Sequence, residues 1–428
     1  MRGATSPQRL LARACDVRPG ETAVTLASFV LVLLLMASYY LLRPVRDAMA
    51  SDWSDAQVSM LWTGTFFFSL VAVSAYGAIA SRIALRHLVP GVYAVFAASF
   101  GLFWLAAGRL APGGVADMGF YVWVSVFSLF HISVFWSFMA DTFTRAQSKR
   151  LFAFIGAGAS VGGLLGPAAA SVMAQWWGSH SALLAAACLL LLALPLIAWV
   201  QRLHHAAAGD PRGDSDSSPL GGNPLSGFAD LLRSRYLLGI CLFIFLYTAI
   251  SSFVYFELKN LLEVYDRDQR TRIWANMDLV VNCLTLLVAL FATGRIASRL
   301  GLPFTLASVP VLVGAGLLSL AAAPQVAIVL VLQVARRVGN YAITRPAREM
   351  LFTAVGRRTR YKTKPVIDIV VYRGGDMLNA WAFTALTQGF GLGMAAVAVV
   401  GAAIAALWAV VGIGLGRGFE RRDPGEET

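Results

Sequence analysis

The 428-residue sequence predicts an all-α integral membrane protein with twelve transmembrane helices in two pseudo-symmetric six-helix bundles. Three observations predict it. Hydrophobic side chains make up 58% of the chain and charged ones 14%, against about 45–50% and about 25% in soluble domains. Apolar stretches long enough to cross about 30 Å of hydrocarbon recur along the whole chain. A nonapeptide recurs at an offset of half the chain length. The composition excludes a water-soluble enzyme, a disordered chain and a fibrous repeat, because so few charges cannot clothe a soluble surface.

In order, the spans fall at 22–45, 56–80, 88–108, 117–140, 151–175, 180–200, 236–259, 272–294, 302–322, 325–346, 365–388 and 393–416. The first follows a basic N-terminus (Arg2, Arg9, Arg13, Arg18) and is too long for the apolar core of a cleaved signal peptide. Turn signals separate later spans: Pro90-Gly91, Ala111-Pro112-Gly113-Gly114, Gly178-Ser179 and Gly389-Phe390-Gly391. Strand-like alternation is absent, and helices satisfy their own backbone groups in lipid. The fifth span carries Gly156, Gly158, Gly162, Gly163, Gly166 and Pro167, small residues that permit close helix approach and a proline that permits a kink.

Twelve spans put both termini on one side. That side holds 23 of the 35 lysines and arginines, and the opposite loops hold four: Arg109, Arg267, Arg270 and Arg272. The positive-inside rule then predicts cytoplasmic termini in a multi-pass inner-membrane protein. The net charge of +12 is therefore mainly topological, and no nucleic-acid partner is expected. Cys15, Cys188, Cys241 and Cys283 are scattered and the five histidines dispersed. No metal, cofactor or nucleophilic constellation is expected.

Residues 77–85 read GAIASRIAL and residues 294–302 read GRIASRLGL, six of nine positions being identical at an offset of 217. Each copy follows the second span of its half. The domains predicted are therefore 1–200, a flexible linker at 201–232 rich in Gly, Pro, Ser and Asp, and 233–428 with a short cytoplasmic tail. The nonapeptide resembles the loop between helices 2 and 3 of major facilitator superfamily transporters, Gly-x-x-x-Asp-Arg-x-Gly-Arg. Ser81 and Ser298 stand in place of the acid, and Arg82 and Arg299 are the candidate gating residues.

Charges inside spans are costly, roughly 2.5–3.5 kcal/mol each at mid-bilayer on insertion scales. Eight basic residues fall in or at the ends of spans: Arg43, Arg46, Lys259, Arg336, Arg337, Arg345, Arg348 and Arg373. Six acidic ones accompany them: Asp47, Glu257, Asp278, Asp368, Asp376 and, at the border, Glu349. Helical spacing places Arg43, Arg46 and Asp47 on one face with Tyr39 a turn earlier. It draws Arg337, Tyr341, Arg345 and Arg348 into a stripe on the tenth span, and Asp368, Tyr372, Asp376 and Asn379 into one on the eleventh. Asp278 pairs with Asn282 on the eighth. One reading is a central polar pathway for a charged, anionic solute. The other is a set of internal salt bridges such as Arg43–Asp47 and Arg373–Asp376.

Three segments extend the resemblance. Residues 42–47 (LRPVRD), 136–159 (WSFMADTFTRAQSKRLFAFIGAGA) and 344–373 (TRPAREMLFTAVGRRTRYKTKPVIDIVVYR) resemble the signature segments of the bacterial and plastidic ATP/ADP (nucleotide) transporter family. That resemblance implies a major facilitator fold and nucleotide exchange, with Arg46 at the position of the family's functional lysine in helix 1. Val124 stands where the family has an acid and Asp376 where it has a second lysine, which implies a divergent member with another solute.

The expected function is a secondary transporter, not an enzyme, working by alternating access on a small anionic organic solute, nucleotide-like or an organic phosphate, by exchange or proton coupling. The alternative is a membrane-embedded lipid-handling or scaffold protein. Arg43, Arg46, Lys259, Arg337, Arg345 and Arg373 are the candidate anion contacts, with Tyr39, Tyr255, Tyr341 and Trp136 against the apolar or ring part. Asp47, Glu257, Asp278, Asp368 and Asp376 are the candidate coupling or gating acids. The expected partners are the lipid bilayer and the solute, and the chain is expected to be a monomer.

Overall fold

A computed structural model describes residues 20–80, 85–107, 113–207, 231–288, 294–323, 325–355, 363 and 367–421. Twelve helical segments follow one another. They are α1 (Thr22–Met49), α2 (Asp55–Ala80), α3 (Leu85–Ala107), α4 (Val115–Thr142), α5 (Arg145–Trp176), α6 (Ser181–Ala207), α7 (Arg235–Leu261), α8 (Arg267–Val288) and α9 (Gly294–Ala322), then α10 (Val326–Leu351), α11 (367–389) and α12 (Met394–Glu420). Each coincides with one predicted span. Ten helices among the described residues are long and apolar enough to cross a membrane. Helices α8 and α11 fall outside that set because polar and charged side chains lower their mean hydropathy, Arg267, Asp268, Arg270, Arg272 and Asp278 in α8 and Arg373, Asp376 and Asn379 in α11.

Local rules account for several boundaries. Thr144 caps α5 with Gln147 in a reciprocal box, each side chain meeting the other's backbone N–H. In α9, Gly301 at φ +77° interrupts the helix, and the stretch apolar enough to cross a membrane runs Leu300–Ala322, against a ninth span predicted at 302–322. That φ favours glycine, which has no Cβ to clash there.

The chain packs as two compact units. Unit 1 holds residues 1–52, 67–217 and 265–279, and unit 2 holds 53–66, 218–264 and 280–428. Helix α2 divides between the units after Phe66, and α8 after Leu279.

In unit 1, α5 lies directly on α1 along Gly158, Gly162 and Gly166. A side chain at Gly158 or Gly162 would overlap the carbonyl of Phe29 or Leu33, and one at Gly166 would come within 2.7 Å of Tyr40 Cβ. Glycine there serves close packing. Arg150 of α5 closes the same pair at its end on Glu21, at 2.9 Å. An aromatic cluster of Phe96, Phe100, Phe120 and Phe127 joins α3 to α4. Unit 2 repeats the device: Gly412 and Gly416 of α12 lie against Leu306 and Pro303 of α9. Phe253, Phe256 and Phe383 fill the space between α7 and α11.

The predicted stripe on the tenth span is not preserved. Residues Asn340–Thr344 form a π-turn, closed by the Arg345 N–H on the Asn340 carbonyl. An extra residue in one turn rotates the following side chains by about 100°. Arg337 is buried, Tyr341 half-buried, Arg345 exposed and Arg348 buried, so the four do not form one face. Helix α11 has two such turns, Ile367–Val371 and Ala385–Gly389. The linker 208–230 and residues 81–84 of the first nonapeptide, Arg82 among them, lie outside the described residues, as do the side chains of Arg299 and Asp368.

Candidate functional site

In unit 1, the i, i+3, i+4 spacing brings Arg43, Arg46 and Asp47 together on α1. Arg46 donates Nε and Nη2 to Asp47 Oδ1 at 2.9 and 2.6 Å, and Nη1 to Ser125 Oγ of α4 at 3.3 Å. Arg43 Nε lies 3.6 Å from Asp47 Oδ2 and 3.7 Å from Asp278 Oδ2 of α8. Both carboxylates are buried. The guanidinium of Arg46 also lies 5.5 Å over the Tyr121 ring, a cation–π contact. The Arg43–Asp47 pair was legible as i, i+4 spacing. The joining of Asp278 to it was not, because it comes from another helix. Two cations meet two anions here, so the cluster carries no net charge.

Tyr39, a predicted contact for a ring, stacks on His131 of α4 with centroids 4.5 Å apart, and Tyr93 Oη donates to the His131 carbonyl at 3.0 Å. Sequence reasoning passed over His131; its place in an apolar span between Phe127 and Phe135 was the available signal. Trp136 packs instead on Phe152 of α5, at 5.2 Å, and over Gly156.

A second ionic cluster ties down the start of α8. Arg267 pairs with Asp52 and, at 2.9 Å, with Asp117, and Arg270 Nη1 reaches Asp52 Oδ1 at 2.6 Å. The Gly113 N–H donates to Asp117, and the Ser179 N–H donates to Asp268 at 2.7 Å. Burial works against the charge of Arg267, but the hydrogen bonds and field of Asp52 and Asp117 outweigh it and hold its pKa above the ordinary value. Sequence analysis gave Arg267 and Arg270 a topological role; the structure adds this pairing.

In unit 2, Lys259 is not gathered with the other basic candidates. Its Nζ donates to the Trp53 carbonyl at 2.8 Å and to Asp55 Oδ1 at 2.9 Å. Asn260 and Thr387 donate to Asp55 Oδ2. Below this, Ser59 meets Thr384 at 2.8 Å and Trp381 Nε1 donates to Thr63 Oγ1 at 3.0 Å, so α2 and α11 share a row of polar contacts. Tyr255 lies against Trp62, 5.4 Å between centroids, and Glu257 is buried in α7.

The remaining candidates gather on α7, α10 and α11. Arg336 and Arg337 are 4% and 2% exposed. Arg336 donates Nε and Nη2 to Gln333 Oε1 at 3.1 and 2.7 Å, and Nη1 to Ser251 Oγ at 2.8 Å and Tyr247 Oη at 3.4 Å. Tyr372 lies 5.9 Å from Tyr247, ring to ring. Arg373 Nη1 and Asp376 Oδ2 are 4.0 Å apart, the i, i+3 pair expected. Asn379 donates to Thr248 Oγ1 at 3.0 Å across to α7, where Gly375 leaves no room for a side chain. Sequence reasoning counted Arg336 among the span charges but left it out of the binding set. The signal was Gln333, three residues earlier and so on the same helix face.

Among the described residues, no group of three His, Cys, Asp or Glu side chains converges to hold a metal ion. The chemistry available is charge pairing and hydrogen bonding inside apolar helices, which suits binding and conformational exchange.

The sequence profile described as Major Facilitator Superfamily matches residues 28–361. No curated protein matches the sequence. Among solved structures, a bacterial homologue of the human lysosomal transporter Spinster, inward-facing and unoccupied, is similar with a TM-score of 0.61 at 15% identity, covering 96% of this chain and all of that one. The nucleoside transporter NupG gives 0.66 at 12% identity, covering 93% and 99%. A POT family transporter in complex with 5-aminolevulinic acid gives 0.67 at 12% identity, covering 93% and 96%. At these identities the likeness concerns the fold. These matches support the superfamily and lend no support to the ATP/ADP transporter resemblance in particular.

Proposed function

Because the chain belongs to the Major Facilitator Superfamily, we propose that its solute is a small organic anion, nucleotide-like or an organic phosphate, moved by exchange or proton coupling. The chain is a multi-pass membrane protein and a secondary transporter of a small-molecule solute, not an enzyme. In the proposed mechanism, residues 1–200 and 233–428 act as the two halves of an alternating-access cycle, in an inner membrane with both termini cytoplasmic.

One observation carries the anion reading. On α10 and α11, five basic residues (Arg336, Arg337, Arg345, Arg348, Arg373) stand against three acidic ones (Glu349, Asp368, Asp376), and Arg336 and Arg337 are buried. A buried positive charge is costly, and an incoming anion lowers that cost. Arginine suits the task, since its planar fork binds carboxylate and phosphate bidentately. Arg337 and Arg373 are the proposed anion contacts of this half, with Tyr341 in the π-turn and Arg345 just after it. In unit 1, Arg43 and Arg46 would reach solute by exchanging Asp47 for it. Asp376 and Glu257 are the proposed proton carriers if transport is proton-coupled.

A thermal-shift screen of the purified protein with nucleotides, organic phosphates, dicarboxylates and amphiphiles tests this. A ligand of the folded state raises its apparent stability. We expect an anion to give the shift, to drive flux in liposomes, and to lose its effect in Arg337→Ala. Absence of flux across the anion panel would overturn the proposal.

A further inference from the structure

We infer that Gln333 occupies an oxyanion site on Arg336 and that a single carboxylate or phosphate group of the solute displaces it on binding. This rests on the organic-anion reading above. The Nε–Nη2 edge of a guanidinium is the edge that takes a carboxylate or phosphate bidentately. In Arg336 both atoms of that edge point at one neutral oxygen, Gln333 Oε1, at 3.1 and 2.7 Å. The remaining contacts, Ser251 Oγ and Tyr247 Oη, are neutral hydroxyls. Among the described residues no carboxylate lies within 4 Å of this side chain, although it is 96% buried, the complement of its 4% exposure. Asp376 on α11 pairs with Arg373, at 4.0 Å. The formal charge of Arg336 is thus hydrogen-bonded but not paired.

A buried arginine that only completed the packing would be expected to hold an acid. Here an amide of the same shape as glutamate takes that place, from the i−3 position of the same helix. An amide oxygen carries no formal charge, so it holds a guanidinium less strongly than a carboxylate or phosphate oxygen does. It satisfies the site while empty and yields to a solute oxyanion. Gln333 and Tyr247 are buried while Ser251 is half-buried, so the approach lies on the Ser251 side. The Tyr247 ring lies 6.0 Å from the guanidinium carbon and packs on Tyr372 and Trp408.

The experiment is a thermal-shift titration of the full-length protein with inorganic phosphate, phenyl phosphate and benzoate. The variants are Gln333→Glu, Gln333→Ala and Arg336→Gln. Gln333→Glu places a permanent carboxylate on the fork. It should raise the melting temperature without any probe and weaken probe binding about a hundredfold or more. Gln333→Ala should lower the melting temperature without probe and enlarge the probe-induced shift. Arg336→Gln should abolish that shift. Benzoate against phenyl phosphate identifies which oxyanion the fork prefers, and inorganic phosphate shows whether the ring contributes. A probe-induced shift that survives undiminished in Gln333→Glu or in Arg336→Gln would overturn this inference and leave the organic-anion reading standing. A fall in the melting temperature of unliganded Gln333→Glu would also overturn it. Should Gln333→Glu fail to fold, the opposite responses of Gln333→Ala and Arg336→Gln decide the matter. No shift of the wild type with any of the three probes, or with the wider anion panel, would overturn both.

Discussion

Replacing Asp47 with asparagine keeps the shape of the side chain and removes its charge. In the folded protein Asp47 accepts two hydrogen bonds from Arg46, at 2.9 and 2.6 Å, and lies 3.6 Å from Arg43. Each ion pair is worth about 4 kcal/mol at 4 Å and an effective dielectric of 20. The desolvation of all three groups consumes much of this, so the net cost of removing one partner is about 3–5 kcal/mol. After the substitution Asp278, 3.7 Å from Arg43, is the remaining carboxylate of the cluster against two guanidinia. Arg46 keeps its contacts with Ser125 and the face of Tyr121 but loses the charge of Asp47. The expected outcome is a loss of about 3–5 kcal/mol in detergent-denaturation stability, most of it restored by Arg46→Met combined with Asp47→Leu, because an apolar pair removes both charges together. Asp47→Asn and Asp278→Asn should also be non-additive, since both act on Arg43. A loss below about 1 kcal/mol, the scale of an exposed pair, would refute the placement of Asp47 as the buried counter-ion of α1.

Gly162→Leu should destabilise unit 1 by about 3 kcal/mol or more, because the new side chain overlaps the Leu33 carbonyl and backbone must move. Gly101→Ala on α3, where nothing lies within 4 Å, should instead stabilise by about 0.5–1 kcal/mol in the same denaturation assay. Lys259→Met should cost about 3–5 kcal/mol by leaving Asp55 buried with only Asn260 and Thr387, and Asp55→Leu on top of it should recover part of the loss. Deleting Ala342 would restore α-helical spacing through Asn340–Thr344 and rotate Arg345 and Arg348 by about 100°. Liposome flux should fall at least tenfold while the thermal transition is retained, and undiminished flux would show that the π-turn has no part in transport.

The spans were legible because hydropathy is a local quantity. Twelve apolar stretches correspond to twelve helical segments, whereas the break at Gly301 inside α9 was not read from the sequence. The α8 boundary was less legible. Its helix begins at Arg267, five residues before the apolar run, because Asp52 and Asp117 neutralise charges that a hydropathy argument assigns to a loop. The stripe on α10 failed for a related reason. A 3.6-residue period assumes an unbroken helix, and nothing in NYAIT announces a turn of wider pitch.

Pairs within one helix were readable from spacing, as Arg43–Asp47 and Arg373–Asp376 show. Pairs between helices were not. The distances that join Asp278 to Arg43, Asp55 to Lys259 and Ser251 to Arg336 are set by which helices pack together. The sequence by itself determined that the chain lives in a bilayer, where its twelve helical segments fall, and which polar side chains lie in them. Those outcomes follow from the transfer of each segment from water to hydrocarbon, a property summed residue by residue. Only the tertiary structure decided which buried charges meet a counter-ion and which, like Arg336, meet a neutral oxygen. Charge pairing decays over a few ångströms, and distances of that size between helices exist only once the helices have packed.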